Sequence, residues 1–323
     1  MHNLICNFPV IGKVSIDIQN TELFVFAKRQ FVNYVLKEST VFKDKIFISI
    51  KAETFNNLEF DNVILGRDIK FKNNELKIKQ NSRVQKFDIE YCFNDKLMIN
   101  IDFNKKPLYY LKSLLSSEYS MSHSLFYQTI LYPIFSLYAI KENYSLVHGS
   151  LLKLDNKYIV LAGLDGVGKS SLSNELVLRS AKIVADNFVL FNGDKFIGLN
   201  MPIRLDLENS IKDNVIYKDD NLQEVLYDYV ETKEVEVEKV YFLSIGEKLA
   251  IKQMNKNIVK QNWNLINNGA SEILGANLFN LPFLYQNSLS ESISESKFNS
   301  YTFSIPKGKI QEATKELICQ LNI

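Results

Sequence analysis

Residues 157–180 read KYIVLAGLDGVGKSSLSNELVLRS, and this stretch decides how the rest of the chain is read. KYIVLA is a short apolar run of strand type, GLDGVGKS fits the pattern G-x-x-x-x-G-K-[ST], and SLSNELVLRS has the spacing of an amphipathic helix. A glycine turn between a strand and a helix is the bland reading, but the lysine and serine at the helix start give the pattern a chemistry. Gly163, Gly166 and Gly168 let the backbone curl so that successive N–H groups converge on an anion, and the helix start adds its positive dipole end. Lys169 is expected to reach the β- and γ-phosphates of a nucleotide, and the Ser170 hydroxyl to ligate Mg²⁺. Asp165, Val167 and Ser171 complete the loop and the first helical turn and count among its candidate cofactor contacts.

Downstream, residues 182–186 read KIVAD, an apolar strand closing on a carboxylate. In a parallel sheet, an acid at a strand's C-terminal end lies beside the phosphate loop, where it can bind Mg²⁺ or accept a proton, so Asp186 is both a metal and a catalytic candidate. Asp-Asn is also turn chemistry, and a cap is its plainer role. Next, FVLF and FIGL flank Asn192-Gly193, a hairpin signal where a further helix would follow in an ordinary α/β sheet. Upstream, His148-Gly149 precedes the loop by one pair of strands; a lone histidine is by itself more often structural. Strand and helix patterns alternate from Leu146 onward, the α/β texture, and KVYFLSI at 239–245 supplies a later strand.

Taken together, residues 146–204 resemble the HPr kinase/phosphorylase (HPrK-like) family, itself similar to phosphoenolpyruvate carboxykinases. The family's order is a His-Gly, a strand, a G-x-x-G-x-G-K-S loop and helix, a strand closing in Ala-Asp-Asp, a hairpin, and an arginine-bearing loop. Here these read His148-Gly149, GLDGVGKS, Ala185-Asp186-Asn187, the Asn192-Gly193 hairpin and Met201-Pro202-Ile203-Arg204. The resemblance implies an ATP- and Mg²⁺-dependent kinase acting on a hydroxyl, most plausibly a serine of a peptide or protein, or a small molecule. In that frame Asp186 is the general base or a metal ligand, His148 orients it or meets the transferring phosphoryl, and Arg204 neutralises charge on the equatorial oxygens. Asp206 and Glu208 are weaker metal candidates whose plainer reading is solvated acids. The chain departs from the family in two places. Asn187 stands where a second acid belongs, and an amide takes no proton at neutral pH. Pro202-Ile203-Arg204 replaces the Glu-x-Arg-Gly signature of true HPr kinases, which points away from HPr as acceptor. The rival expectation, from another class, is a nucleotide-gated binding protein that transfers no phosphoryl group.

Residues 1–105 carry a different pattern, with β-branched and aromatic residues in LFVFAK and KIFISIK, a hairpin of DIKFK and ELKIKQ around Asn73-Asn74, and a second where FDIEYCF and LMINIDF flank Asn94-Asp95-Lys96. An antiparallel β-rich domain is expected there, then a helical connector over 106–145 whose many aromatics read as core, then an α/β kinase domain over 146–323. Hydrophobic residues make up 46% and charged residues 23%, the profile of a folded globular chain. With 38 basic against 37 acidic residues no global field favours nucleic acid or anionic lipid, so neither is an expected partner. Cys6, Cys92 and Cys319 lie far apart, outside any Cys-x-x-Cys pair, which suits a reducing compartment. The N-terminal stretch lacks a signal-peptide pattern, and the most apolar window, 129–140, contains Pro133 and falls short of the roughly 20 residues that span a bilayer. A cytoplasmic protein is therefore expected, with a nucleotide and a hydroxyl acceptor as partners and room for a homo-oligomer.

Overall fold

The computed structural model describes residues 2–8, 12–18, 21–35, 60–64, 67–72, 75–81, 85–93, 97–105, 144–164, 166–187, 189–199, 201–206, 215–218, 222–226, 234–273 and 298–321. The chain divides into two compact units, Met1–Glu142 with Ser271–Pro282, and Asn143–Ala270 with Phe283–Ile323. Among the described residues no helix is long and apolar enough to cross a membrane.

The first unit holds β1 (His2–Phe8), β2 (Gly12–Ile18), α1 (Thr21–Gln30), β3 (Phe60–Ile64), β4 (Arg67–Lys72), β5 (Glu75–Asn81), β6 (Gln85–Phe93) and β7 (Leu97–Lys105). The strands form one seven-stranded sheet in the order β1-β2-β7-β6-β5-β4-β3. Both expected hairpins are present: Lys72 pairs with Glu75 across one and Phe93 with Leu97 across the other. The sheet is not wholly antiparallel, because β2 runs parallel to β7, with Asp17 opposite Asn100. A further correction concerns LFVFAK, expected as a strand, which lies within α1. Phe26, Ala27, Gln30, Phe31 and Tyr34 are buried while Val25 and Val32 are exposed, and that spacing of three and four is a helical face. KIFISIK and residues 106–143 of the expected 106–145 connector lie outside the described residues, and the last connector position, Ser145, opens the strand Ser145–Val147.

The second unit is mixed α/β. Its elements are β8 (Ser145–Val147), β9 (Gly149–Leu154), β10 (Lys157–Ala162), α2 (Lys169–Val177), β11 (Lys182–Ala185), β12 (Val189–Phe191), β13 (Phe196–Gly198), β14 (Ile203–Asp206), β15 (Val215–Lys218), β16 (Leu222–Val225), β17 (Lys239–Ile245), β18 (Ala250–Gln253), α3 (Lys256–Ile273), β19 (Asn299–Ile305) and α4 (Ile310–Leu321). The main sheet has six strands in the order β11-β9-β10-β17-β19-β18. β10, β17 and β19 are parallel, and β18 closes one edge antiparallel. The expected parallel neighbour for the loop strand is therefore β17, the KVYFLSI segment. The KIVAD strand, β11, is separated from β10 by β9, which is antiparallel to both. Two antiparallel steps restore direction, so β10 and β11 end at the same edge of the sheet, where β9 begins.

The strands alternate between two buried faces, which gives their near-continuous apolar runs. Ile159, Leu161, Tyr241 and Leu243 pack with Leu172 and Leu176 of α2 and Ala313, Leu317 and Leu321 of α4. Val160, Ala162, Val240 and Phe242 pack with Val259, Trp263 and Ile266 of α3 and with β8, β12 and β13, which form a small three-stranded sheet. Trp263 is the largest fully buried side chain, edge-on to Phe191 and Phe242 at centroid distances of 5.3 and 5.6 Å and stacked on Phe298. The Asn192-Gly193 hairpin joins β12 to β13; the Asn192 side chain accepts from the N–H of Asp194 and Lys195, and Gly193 takes φ +100°. Lys157 and Lys239 donate from Nζ to the carbonyls of Leu321 and Gln320, placing cations on the negative end of α4.

Candidate functional site

The end of the main sheet where β10 and β11 stop brings together His148, the phosphate loop with Lys169 and Ser170, and Asp186. Gly149 lies opposite Ala162 in the β9/β10 register, and the Gly163 N–H donates to the carbonyl of His148 at 3.4 Å. The start of the loop is thus tied by its main chain to His148, whose side chain is buried.

Within the loop the glycines divide their tasks. Gly166 and Gly168 sit at φ +77° and +93°, a region that costs L-residues with a Cβ about 1–2 kcal/mol. Gly163 does not share their positive φ. Its need is closeness, since a Cβ there would fall 2.9 Å from Val167 Cγ2 and 3.1 Å from the Leu243 carbonyl. Val167 is half-buried against the α2 face of the core, and Asp165 lies outside the described residues.

Gly168 is the N-cap of α2 and supplies no side-chain oxygen, so the first-turn amides have no side-chain cap. Lys169 opens the helix; it is buried, and its ammonium folds back to donate to the carbonyls of Gly163 at 3.0 Å and Leu164 at 2.8 Å. Ser171, one position beyond Ser170, is half-buried. The opening turn of α2 therefore combines a glycine N-cap, which offers no side-chain acceptor, with a cation lying across the loop, an arrangement complementary to a multiply charged anion.

Asp186 follows β11 directly and is buried, 4% exposed. Ser170 Oγ donates to its Oδ2 at 2.9 Å, and Ser150 Oγ, from β9, donates to its Oδ1. Burial pushes the Asp186 carboxyl above its ordinary range; the bonds from Ser150 and Ser170, the charge of Lys169 and the N–H of Asn187 pull the other way without cancelling it. Asn187 occupies the left-handed region at φ +71°, which Asn enters more readily than most residues. Ser150 went unnoticed in the sequence. The signal was there in the row Ser150, Leu152, Leu154, where one hydroxyl interrupts a buried apolar face.

Of the other candidates, Arg204 lies on β14, with Cα register partner Glu224 of β16, a buried acid. β14 packs beside α2. The side chains of Arg204 and Asp206 are outside the described set, as is Glu208 altogether. Among the described residues the donors the site offers a metal are the Ser170 hydroxyl and the Asp186 carboxylate, an all-oxygen pair of the kind Mg²⁺ takes when it keeps waters or phosphate oxygens as its other ligands. Among the described residues no group of three or more His, Cys, Asp or Glu side chains is arranged to hold a metal unaided.

No family model matches the chain, and no curated protein matches it in sequence. Among solved structures, the HPr(Ser) kinase/phosphatase from Coxiella burnetii is similar over 55% of this chain and 96% of its own, at 12% identity and a TM-score of 0.28. A likeness of that degree carries no weight for function, and the site stands on its own geometry.

Proposed function

We propose that the second unit is an HPrK-like, phosphoenolpyruvate carboxykinase-related phosphotransferase domain, which passes the γ-phosphoryl group of ATP to a hydroxyl of a peptide, protein or small molecule. The observation that carries this reading is the link between Ser170 and Asp186. The serine of a G-x-x-x-x-G-K-S loop is hydrogen-bonded to the carboxylate that closes a strand at the same sheet edge. A glycine turn with no ligand has no use for a buried lysine, a buried carboxylate and a glycine-capped helix start brought together.

In this reading the loop amides and Lys169 hold the phosphates, with the ammonium exchanging its two carbonyl partners for phosphate oxygens. Ser170 and Asp186 would hold Mg²⁺, whose charge offsets that of the phosphates when it is bound. The acceptor oxygen forms its bond to the γ-phosphorus as the bond to the ADP oxygen breaks, and the acceptor proton passes to Asp186. In the chain without a bound cation burial displaces that carboxyl upward, the direction of a better base, and a cation held by Asp186 opposes that shift. His148 and Arg204 are assigned to orienting the base and to the equatorial oxygens. The β-rich first unit is assigned to acceptor recognition, since every phosphate-handling motif lies beyond Leu146.

The test is calorimetric titration with Mg·ATP, followed by incubation with γ-labelled ATP and fractionated extract. Binding by the native protein, loss of binding in Lys169→Ala and label on a hydroxyl-bearing product are expected. Absence of nucleotide binding refutes the proposal; binding with no transferred label assigns the chain to the nucleotide-gated class.

A further inference from the structure

Asp186 presents two oxygens, and each is held from a different scaffold. Oδ2 accepts from Ser170, which is half-buried at the second position of α2, next to the loop that handles phosphate. Oδ1 accepts from Ser150, which is 0% exposed and sits inside β9. β9 is paired on both sides, with Ser150 opposite Leu161 of β10 and the adjacent Leu151 opposite Ala185 of β11. One hydroxyl thus belongs to the ligand-handling segment and the other to the middle of the sheet.

The side chains of β9 on the α2 face run Ser150, Leu152, Leu154, and all three are buried. Placing a hydroxyl in that row is unfavourable unless it is hydrogen-bonded, and its bond goes to the single carboxylate of the 186–187 turn, Asn187 being an amide. An alkyl side chain at 150 would leave Oδ1 without this donor in a place closed to water.

We propose that Ser150 is a positioning residue: its hydroxyl pins Oδ1 to the sheet, so that Oδ2 keeps its aim toward the loop when the Ser170 hydroxyl turns to a metal or a phosphate oxygen. Without Ser150 the carboxylate would keep Ser170 and the N–H of Asn187, its neighbour in the same turn, but would lose its tie to β9 once the Ser170 bond is exchanged. The pin rests on the phosphotransferase reading, and it adds a residue outside the phosphate-loop motif and outside the strand-end acid.

The experiment is a titration of the full chain with ADP alone, and with Mn²⁺ in the presence of ADP, followed by calorimetry and by the Mn²⁺ electron paramagnetic resonance signal; Mn²⁺ serves as an oxygen-seeking stand-in for Mg²⁺. Ser150→Ala is expected to weaken Mn²⁺ binding by about 10- to 100-fold, the usual effect of removing a partner that orients a metal ligand, with ADP binding changed less than about twofold. Ser150→Thr and Ser150→Val form a pair of equal shape that separates the hydroxyl from its volume. Thr should bind Mn²⁺ much as the native protein does, and Val should fall with Ala. Equal Mn²⁺ affinity in Thr and Val, or loss of ADP and Mn²⁺ binding together in Ala, overturns the positioning role. Native protein that binds neither ADP nor Mn²⁺ overturns the phosphotransferase reading and this inference with it, whereas native binding with an unaffected Ser150→Ala overturns the inference alone.

Discussion

Asp186→Asn replaces a buried carboxyl by an amide of nearly the same shape, and its effect on stability follows from the balance of forces on that group. Burial raises the carboxyl above its ordinary value of 3.8, and the attraction of Lys169 and the bonds from Ser150, Ser170 and Asn187 fail to bring it back. The folded chain therefore holds this proton more tightly than the unfolded chain does. The contribution of the group to stability is complete below 3.8 and is lost as the pH rises through the folded value. Above the folded value the native protein bears the cost of a desolvated charge, and the Asn variant bears none at any pH. Each unit of upward displacement is worth about 1.4 kcal/mol, or roughly 3–6 °C in Tm for a domain of 150–250 residues. The amide also fits its surroundings, since one serine hydroxyl can donate to its oxygen while the other accepts from its NH₂. In thermal scans with chelator and no nucleotide, Asp186→Asn should outlast the native protein at neutral pH, with the gap closing as the pH falls toward 4. Turnover should move the other way, falling by about 10²–10⁴ if Asp186 takes the acceptor proton. A native protein that is the more stable at neutral pH, by a margin that shrinks on acidification, would refute the reasoning, because it would mean that the serine hydrogen bonds and Lys169 together outweigh desolvation.

Other expectations follow from single contacts. Mg·ATP at about 100 times its Kd should stabilise the native protein by roughly 2.7 kcal/mol in a thermal-shift titration, and Lys169→Ala should abolish most of that gain. Gly168→Ala forces a Cβ into φ +93° and to 3.0 Å from Ile310 Cδ1, so urea unfolding should show a loss of about 1–2 kcal/mol; an unchanged midpoint would contradict the loop geometry. Trp263→Ala empties the aromatic cluster around Phe191, Phe242 and Phe298 and should cost about 3–5 kcal/mol by chemical denaturation. Asn187→Asp should shift turnover far less than Asp186→Asn does, as judged by side-by-side assays on the same acceptor; a variant that activates an inactive protein would assign the base to position 187 instead.

What the sequence determined by itself is the part fixed by neighbours within a few residues. The strand, glycine turn and helix of 157–177 are legible because positive φ, helix start and apolar run are local requirements, and the Asn192-Gly193 turn is legible for the same reason. A window too short to show its period misleads. LFVFAK resembles a strand over six residues, and only the spacing of Phe26, Ala27, Gln30, Phe31 and Tyr34 over a longer span declares the helix. The tertiary structure alone decided how the site closes. Inserting β9 antiparallel between β10 and β11 keeps those two strands pointing the same way while bringing Ser150 to Asp186 across 36 residues of sequence. A hydrogen bond over that separation depends on sheet order and register, which are set by the burial of both faces of the sheet at once, and no local pattern of residues encodes that choice.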